Sequence, residues 1–275
     1  MTTEPRGSLY ELIDSPISCS MLLPVRSGSQ FLGRCIDSLL WQSYSSWQLV
    51  AVLDRDTGIN ESLLVSSIPK SKLKIIHADF NDGGLSHLLN IGLDACDSEL
   101  IARFDDDDIS VPSRLERQIA LFNQIEDLVL VAATAEVVNQ LGETLYWIHP
   151  PQTDGALKSS LLTSNQIVHS SVMMKKSAVM RVGGYKTNLH GCEDYDLWLR
   201  LVSQGKFAAI CEKLVTYYQN PFGLAKKGIP HSAHRLLKKS RDQAALELGV
   251  TKSKNIVTSL RWRFNHRPHV VRFWH

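Results

Sequence analysis

Four consecutive aspartates, Asp105-Asp106-Asp107-Asp108, follow directly on the apolar run at residues 99–104. Like charges this close repel one another, and a fold keeps them ordered only where something offsets the repulsion. If the preceding run is a strand, side chains two apart share a side, which puts Asp105 with Asp107. Two hard oxygen ligands on one side suit Mg²⁺ or Mn²⁺, ions that keep positions for substrate phosphates. A solvated acidic turn capping the next helix is the competing reading of the same residues.

The chain around this run alternates between two periodicities. Residues 17–25, 47–53, 73–77 and 99–104 are apolar runs of strand length, with the first predicted to break at Pro24. Between them, Phe31, Cys35, Leu39 and Leu40 repeat helically, and Gly83-Gly84 opens a second helical stretch. Pro112 suits the first turn of a helix ending near Phe122. Strand–helix alternation predicts an α/β fold, a single Rossmann-like, mostly parallel sheet flanked by helices. Later, residues 128–138 and 144–148 flank a hairpin turn at 139–143, residues 168–174 read as a strand, 194–202 as a helix and 208–218 as a strand. In open α/β sheets ligands bind beyond the carboxyl ends of the strands. Three polar clusters fall there: Pro24-Val25-Arg26-Ser27, Asp54-Arg55-Asp56 and the four aspartates.

The charge is unevenly spread. Over the 275 residues the formal net charge is +2, yet residues 226–275 carry twelve Lys and Arg against two acids. We therefore divide the chain into a domain at 1–225, with halves at about 15–125 and 126–225, and a basic, largely helical extension at 226–275. Such a tail reads either as a contact with something anionic (a membrane surface, a lipid-linked phosphate, nucleic acid) or as a solvated appendage. Trp262, Phe264, Phe273 and Trp274 interleave with Arg261, Arg263, Arg267 and Arg272, a mixture that suits a membrane interface, single-stranded nucleic acid, or packing onto the domain. Five cysteines without CxxC spacing point to reduced thiols in a cytoplasmic setting. No apolar stretch approaches a membrane span, and residues 1–14 lack a signal-peptide pattern.

Six segments in order resemble the inverting family 2 glycosyltransferases, which have the GT-A fold. Leu23-Pro24-Val25 with Phe31-Leu32 is similar to the family's opening segment, and residues 49–54 stand where it has a VVDDGS strand end. Asn81-Asp82-Gly83-Gly84-Leu85-Ser86 with Asn90-Ile91-Gly92 resembles its NGGLS segment. Residues 100–108 with Pro112, Arg114 and Leu115 resemble the DxD region. His169-Ser170-Ser171 and Val182-Gly183-Gly184-Tyr185 resemble the acceptor half. Glu193-Asp194 and the residues to Arg200 resemble the ED motif and its helix.

The resemblance implies a nucleotide-diphosphate sugar donor and a divalent metal, Mg²⁺ or Mn²⁺. It gives Asp107, with Asp105, to the metal, and Pro24, Val25, Arg26, Asp54, Asp105 and Asp106 to the nucleotide sugar, with Asp54 on the nucleobase. It makes Asp194 the general base, with Glu193 beside it raising the pair's proton affinity, and it puts His169 and Glu193 on the acceptor side. The acceptor implied is a saccharide or a lipid-linked saccharide in surface polysaccharide or lipopolysaccharide synthesis, met at the inner membrane face. Departures from the family pattern fall at Arg55, which alters the VDDGS turn, and at Arg26, Ser27 and Leu89. Rival readings are a nucleotidyltransferase, a non-catalytic homologue, and a nucleic-acid-binding protein using the tail; nucleic acid is not the partner expected.

Overall fold

The computed structural model describes residues 19–25, 31–54, 61–219 and 231–266. Its first half is a parallel sheet in the order β3-β2-β1-β4, built from β1 (Cys19–Val25), β2 (Trp47–Asp54), β3 (Leu73–Ala78) and β4 (Leu100–Arg103). Helices α1 (Leu32–Leu40), α2 (Glu61–Ser67), α3 (Gly84–Ala95) and α4 (Arg114–Gln124) cover it. Strand periodicity sorts the core into two layers. Met21, Leu23, Leu49, Ala51 and Ala102 face Ile36 and Leu39 of α1 and Leu115 of α4. Leu22, Val50, Val52 and Ile101 face Leu88, Leu89 and Leu93 of α3. Burial on both faces is why these strands read as unbroken apolar runs rather than alternating ones.

The break predicted at Pro24 does not occur; the residue sits within β1, opposite Val52. The β1–β4 pairing ends at Leu22, so on that side the missing N–H of Pro24 interrupts no ladder.

The second half extends the same sheet. It comprises β5 (Ile109–Ser110), β6 (Leu128–Val138), β7 (Thr144–Ile148), β8 (Met173–Lys175) and β9 (Lys206–Tyr218), with α5 (Asp154–Ser160), α6 (Lys176–Arg181) and α7 (Glu193–Leu201). β8 runs antiparallel to both β4 and β6, and so joins the halves. β9 lies parallel to β6 and carries β5 on its other edge. The β6–β7 hairpin turns where expected: Asn139 Oδ1 accepts the N–H groups of Leu141 and Glu143 at 2.9 and 3.0 Å. The strand predicted at 168–174 is shorter, because His169–Ser171 forms a 3₁₀ turn before β8.

Helices α8 (His231–Glu247) and α9 (Lys252–Asn265) follow. They share a core with the sheet: Ala233, Leu237, Ala244, Ala245 and Trp262 belong to the same apolar cluster as Leu197 and Trp198 of α7. Asp196 of α7, fully buried, ties them in, accepting bonds from Arg200 Nε at 2.7 Å, Lys186 Nζ at 3.3 Å and Ser240 Oγ of α8 at 2.5 Å. Trp262 is therefore a core residue and not an interface aromatic. Phe273, Trp274, Arg267 and Arg272 lie outside the described residues.

Gly92 sets how closely α3 lies on the sheet. A Cβ there would stand 2.2 Å from Leu22 Cδ1 and 2.9 Å from Val52 Cγ2. Alanine gains about 1 kcal/mol in helix propensity, but forcing a methyl into a filled core costs about 1–3 kcal/mol. Overpacking wins if Leu22 cannot yield. Gly92→Ala is expected to lower the urea midpoint and to reduce the melting temperature by several degrees. An unchanged or raised melting temperature would contradict this close contact.

Candidate active site

β4 ends at Arg103, so the four aspartates occupy the turn beyond it, and strand alternation does not carry into them. Asp105 and Asp107 still come together, but Asp108 joins them: one carboxylate oxygen from each lies within 4.8 Å of the others. Asp106 stands outside that group. Asp108 is buried and accepts hydrogen bonds from the Ser170 hydroxyl and from the Tyr218 N–H, the latter at 2.9 Å. Arg103, 1% exposed, forms an ion pair with Asp105.

The backbone of the turn is also held. Cys35 Sγ donates to the Asp105 carbonyl at 3.2 Å and Arg34 Nη2 to the Asp107 carbonyl at 3.1 Å. The Arg34 guanidinium lies 4.2 Å from the Phe31 ring centroid and 3.4 Å from that of Tyr218, a cation between two aromatic faces. Beyond the turn, Gln42 bonds Ser110 Oγ at 3.1 Å, the Val111 carbonyl at 2.9 Å and the Leu115 N–H at 3.1 Å. Arg114, fully buried on α4, donates to the Arg103 carbonyl at 2.9 Å and to the Val172 carbonyl at 3.1 Å. A solvated acidic cap would have none of this scaffolding.

Charge in the turn is only partly offset. Burial, and then the charge of Asp105, push the Asp107 carboxyl up to about 6. Burial with Asp105 and Asp107 holds Asp108 well above the usual carboxylate range. Burial opposes the Arg103 charge, and the Asp105 carboxylate more than restores it, so the guanidinium stays firmly protonated. Three converging carboxylates with one paired cation form a hard-oxygen donor set with negative charge to spare, which fits Mg²⁺ or Mn²⁺.

The donor-side residues lie at neighbouring strand ends. Asp54 closes β2, is 5% exposed, and accepts the Phe80 N–H at 3.2 Å, which ties the ends of β2 and β3 together. Pro24 and Val25 close β1 and are buried. Arg26, Ser27 and Arg55 lie outside the described residues.

Glu193 and Asp194, expected at the acceptor side, begin α7. Asp194 accepts the N–H of Tyr195 at 2.7 Å and Asn165 Nδ2 at 2.9 Å. Both bonds favour its charged form, but burial outweighs them and its pKa is raised. Glu193 is 6% exposed with its Oε2 buried and unpartnered. Burial, and then the charge of Asp194, push it up to about 7. Both acids of the pair are thus raised: the charge of Asp194 adds to burial at Glu193, while burial is the leading cause at Asp194. His169 Nε2 is 2.8 Å from Tyr185 Oη, and its ring stands edge-on to Trp198 at 5.8 Å. Burial, and then the Arg103 charge, keep His169 neutral.

Several of these supports were not singled out from sequence. Asn90 bonds both backbone groups of Tyr185, at 2.7 and 2.8 Å, and so carries the position of His169 back to α3. Arg200 holds the Gly183-Gly184 turn through the Val182 and Gly184 carbonyls at 2.6 and 2.8 Å. Arg103 and Asn165 sit against the acids without belonging to an acidic motif. The signal available was a buried-length apolar run containing an arginine.

Comparison with known proteins bears on the same residues. The chain matches Glycosyl transferase family 2 over residues 20–182. An uncharacterized glycosyltransferase of Haemophilus influenzae is 30% identical over 212 residues, 76% of this chain and 78% of that protein. The O-antigen biosynthesis glycosyltransferase WbnJ of Escherichia coli is 30% identical over 67% of this chain and 72% of its own length. The amylovoran biosynthesis glycosyltransferase AmsE of Erwinia amylovora is 31% identical over 63% and 65%. Among solved structures, S. aureus TarS 1–349 in complex with UDP superposes with a TM-score of 0.68 at 13% identity, covering 91% of this chain and 72% of that one. Against a longer TarS chain the coverage falls to 44% of that chain, so this protein spans under half of it. The match over most of the parallel sheet and the likeness in fold agree: the chain belongs to glycosyl transferase family 2 and is a glycosyltransferase with the GT-A fold.

Proposed function

We propose that the chain is an inverting, metal-dependent glycosyltransferase that takes a hexosyl or N-acetylhexosaminyl group from a nucleoside-diphosphate sugar. One observation supports this reading above the others. Two carboxylate centres, Asp105/Asp107/Asp108 and Glu193/Asp194, are both within the field of a single buried cation, Arg103. Inverting transfer needs two such centres, one for the departing diphosphate and one for the incoming hydroxyl.

Asp194 acts as the general base. It removes the acceptor hydroxyl proton as that oxygen attacks the anomeric carbon, on the face opposite the leaving group. The new C–O bond forms while the bond to the diphosphate breaks, and the electron pair leaves with the diphosphate. Burial of Asp194 favours this role, since a base with a raised pKa takes a proton more readily. Asn165 fixes the carboxylate's orientation. Mg²⁺ or Mn²⁺ held by Asp107 with Asp105 would supply charge neutralisation to the leaving diphosphate. Asp54 meets the nucleobase, Arg26 and Asp106 add to the nucleotide-sugar contacts, and His169 with Glu193 lines the acceptor side. The relatives named for O-antigen and amylovoran biosynthesis support a saccharide or lipid-linked saccharide acceptor, in surface polysaccharide or lipopolysaccharide synthesis. Solved relatives bound to UDP and UDP-GlcNAc make uridine nucleotides the first to test. The site of action is the cytoplasmic face of the inner membrane.

A panel of nucleoside diphosphates with and without Mn²⁺ tests the donor side. One diphosphate should raise the melting temperature only when metal is present, and Asp107→Ala should abolish the rise. If no diphosphate stabilises the protein, two options are left: a non-catalytic homologue, or a donor site that forms only with its acceptor. Asp194→Asn should lower turnover by about 10²–10⁴-fold while leaving that stabilisation intact. With wild type, NMR of the product should show the anomeric configuration opposite to the donor's; retention would refute the mechanism.

Glu193 gives a prediction in pH. In the fold it keeps its proton up to about 7, against an ordinary value of 4.5. Between those limits the folded chain binds more protons than the unfolded one, so stability falls as pH rises through that window. The loss attributable to Glu193 is on the order of 3 kcal/mol. Urea unfolding at pH 5 and pH 8 should show this decline, shallower in Glu193→Gln. The slope persists in part, because Asp107, Asp108 and Asp194 are shifted the same way. Equal declines in both proteins would place Glu193 outside this coupling.

A further inference from the structure

Helix α9 is apolar on the wrong side for a helix that only packs. Its inner face is well anchored: Trp262 is fully buried, Asn255 and Thr258 accept from the buried Arg241, and Asn265 Nδ2 donates to the Thr163 carbonyl at 3.0 Å. Yet Ile256, Val257, Leu260 and Phe264 are 63, 55, 60 and 47% exposed. Their spacing of i, i+1, i+4 and i+8 sets them on one face, opposite Trp262. At about 100° per residue, Lys252 and Arg263 flank one edge of that stripe and Lys254 and Arg261 the other. Residues 248–266 contain no acid. On α8, Leu246 is also exposed, at 69%, and a groove of about 390 Å³ between the two helices is lined by Leu246, Ile256 and Leu260 with Lys238 and Arg263. The neighbouring acids are engaged: Asp242 pairs with Lys238 and Arg241, and Glu247 accepts from Gln243.

We propose that the exposed face of α9, with Leu246 of α8, is a membrane-docking surface that seats the protein on an anionic bilayer. An apolar stripe bordered on both edges by cations, on a helix lying along the protein surface, is the pattern of an interfacial helix: the apolar side chains enter the headgroup–acyl boundary and the cations meet lipid phosphates. Charge separates this occupant from a second copy of the chain. A twofold contact through this face would set Lys and Arg rows against themselves, and Asp242, the acid lining the groove, is already paired with Lys238 and Arg241. It separates it from nucleic acid too, since the centre of the face is aliphatic and the cations stand at the rim. Because α8 packs on α7, the docked helices would be directly coupled to the element carrying Asp194. The proposal rests on the transferase reading above for its purpose, a lipid-linked acceptor, and on α8 and α9 for its geometry.

Vesicle co-sedimentation of the full chain tests it, without donor or acceptor. Wild type should bind phosphatidylcholine vesicles containing phosphatidylglycerol and leave pure phosphatidylcholine largely unbound. The double variants Ile256→Ser/Leu260→Ser and Arg261→Glu/Arg263→Glu, all at exposed positions, should each bind about tenfold or more weakly while melting at the wild-type temperature. Wild type that ignores anionic vesicles, or both variants binding like wild type, would overturn the proposal. So would a dimer in sedimentation velocity that Ile256→Ser/Leu260→Ser dissociates. The two readings fail separately: nucleotide stabilisation without vesicle binding removes this surface alone, and vesicle binding without metal-dependent nucleotide stabilisation counts against the metal-dependent donor reading alone.

Discussion

The guanidinium of Arg103 is the charge around which the site is organised. It sits at the last residue of β4, all but sealed from solvent, and pairs with Asp105 at the entry to the acidic turn. Its field lowers the proton affinity of Asp107 on one side and of Glu193 and Asp194 on the other, and it opposes protonation of His169. A buried ion pair is not by itself a source of stability, but removing one partner strands the other and costs about 3–5 kcal/mol. Arg103 therefore cannot be lost without the carboxylates around it taking up protons or moving apart. Arg114 reinforces this from behind by binding the Arg103 carbonyl, so the end of β4 is fixed in position as well as in charge.

A second buried charge organises the acceptor half. Asp196 has no exposure and answers to Arg200, Lys186 and Ser240. Arg200 passes the constraint to the Gly183-Gly184 turn, where φ values of +81° and +63° favour glycine. A Cβ on Gly184 would also stand 2.6 Å from Asn90 Oδ1, the atom that accepts the Tyr185 N–H. The chain of contacts from α8 through α7 and this turn to Asn90 on α3 joins the two halves of the sheet by polar bonds as well as by β8.

Much of this was readable before the structure. The parallel core followed from apolar runs long enough for strands, and the 139–143 turn from Asn and Gly between two such runs. Asp105 and Asp107 were paired from strand alternation, and they do come together, though the alternation ends at Arg103. Asp108 was missed for that reason: turn geometry, not period two, brings its carboxylate round. Pro24 misled because a proline rule written for a strand bordered on both sides was applied where β4 has already ended. For Trp262 the sequence left packing onto the domain as one of three alternatives, and that is the one the structure shows. The residue's neighbours are arginines, and local composition cannot show that its ring packs against those of His234 and His266 in the core. Arg241 in α8 has the same character, a cation in a basic tail that is fully buried against Leu162.

The raised carboxyls are best understood together. Asp107, Asp108, Glu193 and Asp194 are all shifted towards their neutral forms, and burial is the leading cause at each. The protein thus holds four acids where desolvation works against their charge, with Arg103 near both sets and none of the four in an ion pair of its own among the described residues. That arrangement costs stability as pH rises, since each group loses its proton against its surroundings. It also sets the sign of every binding event at the site. A cation entering the aspartate turn relieves repulsion there and binds most tightly once Asp107 has lost its proton. A proton arriving at Asp194 relieves the second set. The electrostatic strain among these carboxylates and the attraction of the site for positive charge are the same quantity seen from two sides.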